Sequence, residues 1–130
     1  MSIKEQIKTL KERHMMDIPI EYEEFIKETS FFDYVDSIVT VGSIEVELNH
    51  FLKEDDENPS RDLLSWYSYA RDERIEYLTI AMGYGNEEFA IKIKGKDVGG
   101  VYCIIQNEDV TIEKICNDFN EFKKFLTKEN

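Results

Sequence analysis

Basic residues are scarce in this chain of 130 residues: 16 Lys and Arg stand against 28 Asp and Glu, a formal charge of -12 at pH 7. Such a deficit weighs against holding nucleic acid by its phosphates, or docking on an anionic membrane surface, because both need a cationic face. Cysteine is almost missing. Cys103 and Cys116 are too few for a disulfide framework and have no metal-ligand spacing. Proline occurs twice and glycine six times, so there is no Pro- or Gly-rich linker and no second composition regime. No stretch approaches the roughly 18 apolar residues of a membrane helix. The opening MSIKEQIKTLKERH lacks the apolar core of a secretory signal. The expectation is one domain in a reducing cytoplasm.

What is present can fill a core: 42% of residues are hydrophobic and 12% aromatic, more than a chain disordered by its own charge carries. Ile3, Ile7 and Leu10 recur at helical spacing and predict a helix over residues 2–13. Pro19 suits the first turn of a second helix, with Tyr22, Phe25 and Ile26 on one face and an acidic first turn that complements the helix dipole. From Ile38 the period changes to two. Two short strands follow, turned by Gly42 and Ser43, the second alternating Ile44, Val46 and Leu48 with Glu45 and Glu47. KEDDENPS reads as a loop, and Asn58 with Pro59 as the opening of a third helix carrying Leu63, Trp66, Tyr67 and Ala70. Residues 77–105 read as a three-stranded meander in which FAIKIK is half-buried and VYCII central. Asp118 and Glu121 then take capping-box spacing ahead of Phe119, Phe122, Phe125 and Leu126, with Lys123, Lys124 and Lys128 toward that helix's C-terminal end. The order predicts an α+β domain, residues 1–130, with helices packed on an antiparallel sheet of about four to six strands.

Chemistry-bearing motifs are few. His14 and His50 are the only histidines, 36 positions apart, and neither has a ligand-type partner on a clear shared helical face. The run Glu54, Asp55, Asp56, Glu57 lacks the alternating ligands and central glycine of a calcium loop and reads as a solvated charge run. Cys103 lies in an apolar strand with no adjacent cation, which predicts an inert thiol. Gly83-Tyr84-Gly85 lacks the Lys-Ser/Thr pair and following helix of a phosphate cradle, and Glu87 and Glu88 would repel phosphate; it reads as a hairpin turn. Lys92, Lys94 and Lys96 share a strand face that reads as solvated. No catalytic group, metal or cofactor is expected. Tyr69 and Tyr84 fall off the apolar face or on a turn, as interface anchors do and as partly buried tyrosines with a wet hydroxyl also do.

The distribution of charge says more than its sum. Residues 21–62 hold 13 acids and three bases, while the segments on either side are close to balance. That concentration marks a patch and favours a basic partner.

Several segments carry a resemblance. IPIEYEEFI resembles the Pro-x-x-Tyr-x-x-Phe helix opening of the SUKH superfamily, the domains related to a fungal cell-wall synthesis regulator. VELNHFL resembles the strand and loop after that helix, the Ile80–Ile93 meander the family's Gly-centred hairpin, VGGVYCII its Gly-x-Val-Tyr strand, and CNDFNEFKKFL its closing helix. The segments fall in the family's order over nearly the whole chain. Ile18 stands where the family usually has Leu, and residues 49–76 are acidic and aromatic in a way no family pattern predicts.

The resemblance implies an α+β fold with no catalytic residues. For bacterial members it implies an immunity protein that binds and neutralises a cognate toxin, often a nuclease. The expected partner is a basic protein toxin, met by Glu54, Asp55, Asp56 and Glu57, with Glu45, Glu47, Glu87 and Glu88 as second-rank contacts and Tyr69 and Tyr84 as anchors. A regulatory scaffold, an acidic DNA mimic and an enzyme are the rival readings, the last predicting a deep pocket with convergent polar groups.

Overall fold

The computed structural model describes residues 1–127. Lys128 therefore lies outside the described residues. Helix α1 (Ile3–Glu12) starts at Ser2, whose hydroxyl accepts from the Glu5 N–H at 3.2 Å, and it buries Ile3, Gln6, Ile7 and Leu10. The apolar stripe read from the sequence is the buried one. Helix α2 (Ile20–Glu28) buries Tyr22 and Ile26, and Pro19 occupies its cap, one residue before the first turn.

Six strands form one sheet in chain order, every neighbouring pair antiparallel: β1 (Ile38–Val41), β2 (Ile44–Phe51), β3 (Tyr77–Gly83), β4 (Glu87–Lys92), β5 (Val101–Gln106) and β6 (Val110–Cys116). Gly42 takes the first of the two β1–β2 turn positions at φ +60°, where an L side chain would be strained. A Cβ there would also meet the Glu113 carboxylate of β6. The two edge strands thus approach each other, and the sheet is curled rather than flat.

Helix α3 (Leu63–Ala70) is inserted between β2 and β3, and α4 (Phe119–Lys123) closes the described chain. The single core runs from α1 and α2 through the sheet to α4. Phe25 meets Phe51 and Phe119 ring to ring at 5.1 Å, and Phe89 meets Phe122 at 5.8 Å.

Four local expectations are corrected. The third helix is capped by Asp62, not Asn58: the Asp62 carboxylate accepts from the Ser65 N–H, whereas the Asn58 side chain accepts from the Ser60 N–H and hydroxyl inside the preceding turn. β6 is a whole strand beyond the three-stranded meander expected over residues 77–105, and as an edge strand it is exposed over most of its length. The last helix stops at Lys123, with Phe125 and Leu126 packed on the core beyond it. β4 is buried on both faces, with Phe89, Ala90 and Ile91 all fully covered. A wet second face was expected there.

Candidate functional site

The second face of β4 is covered by the segment that leads out of α3. Arg74, 2% exposed, reaches Glu88 of β4, 3% exposed, with Nη2 at 3.0 Å from Oε2. The rest of the Glu88 carboxylate is also taken. Oε1 accepts from the Trp66 indole N–H at 3.1 Å and the Thr79 hydroxyl at 2.8 Å, and Oε2 accepts from Gln106 Nε2 at 2.7 Å. Four donors saturate a carboxylate. Burial would raise the Glu88 pKa, but the hydrogen bonds from Arg74, Thr79 and Gln106 and the Arg74 charge outweigh it, so it lies below its ordinary value. Arg74 Nε is buried and has no hydrogen-bond partner among the described residues.

This network fixes the Trp66 indole at the surface. On one side lies a cleft of about 350 Å³ lined by Trp66, Met82, Gly85, Asn86, Glu87, Glu88 and Gln106. On the other lies one of about 530 Å³ lined by Trp66, Tyr69, Ala70, Asp72, Glu73 and Gln106. Tyr69, 79% exposed, rests against Trp66 with ring centres 5.4 Å apart. The helix makes this shelf because Leu63, Tyr67 and Ala70 take its buried face, leaving Trp66 and Tyr69 one turn apart on the other.

The ten predicted contact residues fall into three places. Glu54, Asp55, Asp56 and Glu57 lie in a loop closed at its base by backbone bonds from Lys53 to Arg61 and Leu63 to Lys53. Most of this loop's charge has work inside the molecule: Glu54 accepts from the Ile3 N–H at 3.0 Å, Asp55 from the Glu57 and Asn58 N–H groups at 3.0 and 2.9 Å, and Asp56 faces the terminal ammonium at 3.5 Å. Glu57 is exposed.

A second group sits at one end of the sheet. Glu45 and Glu47 are exposed on β2, the Tyr84 hydroxyl donates to the Asp36 carboxylate, and Glu87 folds back onto the Gly85 and Asn86 N–H groups at 3.4 and 3.1 Å. Tyr69 and Glu88 form the third group, on the Trp66 shelf. Glu88 is a correction to the expected surface contacts, since its carboxylate is internal and holds the shelf up. Arg74, Thr79 and Gln106 were not singled out from the sequence, and Trp66 was read only as part of the third helix, because it takes both the sheet register and the packing of α3 and the segment after it to bring them to Glu88.

Beneath the acidic loop, Asp62 is a second hub. Its carboxylate accepts from Gln6 Nε2 and the Asp55 N–H at 2.9 Å each and from the Ser65 N–H at 3.0 Å, while the fully buried Gln6 accepts from the Leu64 N–H at 2.8 Å. Burial opposes ionisation of Asp62, yet hydrogen bonds from Asp55, Ser65 and Gln6 prevail and lower its pKa.

Among the described residues no group of three or more His, Cys, Asp or Glu is arranged to hold a metal ion. Burial, with the nearby Glu87, Glu113 and Glu88 charges, pushes the Cys103 thiol up to about 12, so it stays protonated and unreactive at neutral pH. No described helix is long and apolar enough to cross a membrane.

A curled antiparallel meander with helices on it, a buried ion pair and open surface clefts define an α+β domain. The chain belongs to the SMI1/KNR4 family (SUKH-1), whose family model matches residues 4–124. No curated protein and no solved structure matches it.

Proposed function

We propose that this protein is a non-catalytic, cytoplasmic immunity protein that neutralises a cognate basic toxin, such as a nuclease, by binding it stoichiometrically. The observation that carries this reading is the family match over residues 4–124. The surface supports it. The clefts beside Trp66 are open, and the buried Glu88 carboxylate next to them is spent on Trp66, Arg74, Thr79 and Gln106 rather than aimed at a substrate.

Glu57, Asp56, Glu45 and Glu47 provide the outward negative field that speeds encounter with a basic surface. Glu54 and Asp55 add to that field while bracing their loop, and Glu87 does the same at its turn. Tyr69 and Tyr84 supply aromatic area for short-range contact. Co-expression with the product of the adjacent gene tests the reading. Rescue of growth together with co-purification of an equimolar complex is the expected result. Toxicity unchanged by co-expression contradicts it.

A further inference from the structure

The cleft of about 530 Å³ beside Trp66 is lined by two aromatic rings, two carboxylates, one amide and one alanine, with no Lys or Arg among its lining residues. Tyr69 is 79% exposed, and Glu73 presents a side chain that is 75% exposed. Trp66 is held in place from behind by its bond to Glu88. Aromatic faces beside carboxylates attract a cation and repel an anion: the ring quadrupole and the acids act with the same sign. A rigid wall lowers the ordering cost of binding.

The same chain already displays this chemistry with a cation of its own. Lys92 Nζ lies 5.0 Å from the Tyr77 ring centre and 5.8 Å from that of Tyr102, with a Glu76 carboxylate oxygen at 3.5 Å. At the Trp66 cleft the rings and carboxylates are present; the buried Arg74 reaches one Glu73 oxygen at 3.9 Å but is held on Glu88 and does not line the cleft, so a cation over the rings would have to come from outside.

We propose that this cleft is a receptor for one arginine side chain projecting from the partner protein. The guanidinium would stack on the Trp66–Tyr69 pair while its edges meet Asp72 and Glu73. A planar guanidinium suits this better than an ammonium, because it stacks and pairs at once. The inference deepens the proposed function and rests on its basic partner. It moves the anchoring point away from the acidic loop, whose carboxylates are largely engaged within the molecule.

Trp66 is the chain's one tryptophan, so its fluorescence reports on the cleft directly. The probe is a capped Gly-Arg-Gly peptide titrated into the full chain, against the same peptide with uncharged citrulline. The expected result is a saturable change with the arginine peptide and binding at least about threefold weaker with citrulline. Tyr69→Ala, and Asp72→Asn with Glu73→Gln, should each weaken the arginine peptide at least about threefold, while Asp56→Asn with Glu57→Gln stays within about twofold. Circular dichroism checks that each variant is folded. Equal response to both peptides, no saturable change, or equal loss from the loop variant overturns the inference. A toxin bound equally by the wild type and Tyr69→Ala also overturns it, while leaving the immunity reading standing. Peptide binding as expected with no neutralised toxin supports the cleft and contradicts that reading.

Discussion

Arg74 and Glu88 meet at 3.0 Å with side chains only 3% and 4% exposed, and the same carboxylate holds the Trp66 indole N–H. One buried pair thus joins the segment after α3 to the middle of the sheet and sets the position of the surface shelf. Removing one member of such a pair strands the other charge. Glu88→Ala is expected to destabilise the fold by about 3–5 kcal/mol in urea unfolding. The double change Arg74→Met with Glu88→Leu should recover much of that loss, because it leaves no buried charge unpaired. A double variant as unstable as the two single losses added together would show that the two side chains are not energetically coupled, against the account of mutual compensation.

Acid should loosen the same network. Burial opposes ionisation of Glu23, Asp62 and Glu88, but their hydrogen bonds and cationic neighbours prevail, so all three pKa values lie below the ordinary 4.5, 3.8 and 4.5. The unfolded chain therefore binds more protons than the folded one in this range, and stability falls as the pH is lowered. The contribution is complete above the unfolded values and is lost as pH drops through the lowered folded values. Urea midpoints should be level from about pH 7 to about pH 5.5 as far as these groups are concerned, then fall toward about pH 3. A midpoint that rises on acidification contradicts the sign.

Asp62 joins the start of α3, the acidic loop and α1 through three accepted hydrogen bonds. Asp62→Ala should cost about 2–3 kcal/mol, from a lost cap and an orphaned Gln6 amide. Asp62→Asn keeps a capping oxygen and should cost less. Equal losses would mean that the cap contributes little.

Charge on the loop should govern rate more than residence time. Asp56→Lys with Glu57→Lys alters two exposed side chains and spares the braces at Glu54 and Asp55. In stopped-flow mixing with the toxin, association should slow about tenfold at low salt, with the difference shrinking as salt is added and dissociation little changed. A change confined to dissociation would make these residues short-range contacts instead.

Much of the fold was legible because its signals are local. The Ile3, Ile7 and Leu10 spacing, the β1–β2 glycine turn and the Asp118 cap are each written within a few residues. Long-range features were not. Asn58 and Asp62 are both good cap residues, and the choice between them involves Gln6, which lies 56 positions before Asp62. Glu87 and Glu88 look alike in sequence. Glu87 closes a turn, while register with Met82 turns Glu88 inward under Trp66, where Arg74 and Gln106 meet it. The acidic patch was visible as charge density. The internal engagement of much of it was not, because the hydrogen bonds that brace it depend on backbone geometry.

The central claim is neutralisation by stoichiometric binding. Isothermal titration of the purified full chain into an inactivated form of the proposed cognate toxin tests it most directly. One-to-one binding in the nanomolar range, weakened by added salt, together with loss of the native toxin's activity at equimolar mixing, is the expected result. No heat of binding, with toxin activity unchanged at equimolar protein, would contradict it.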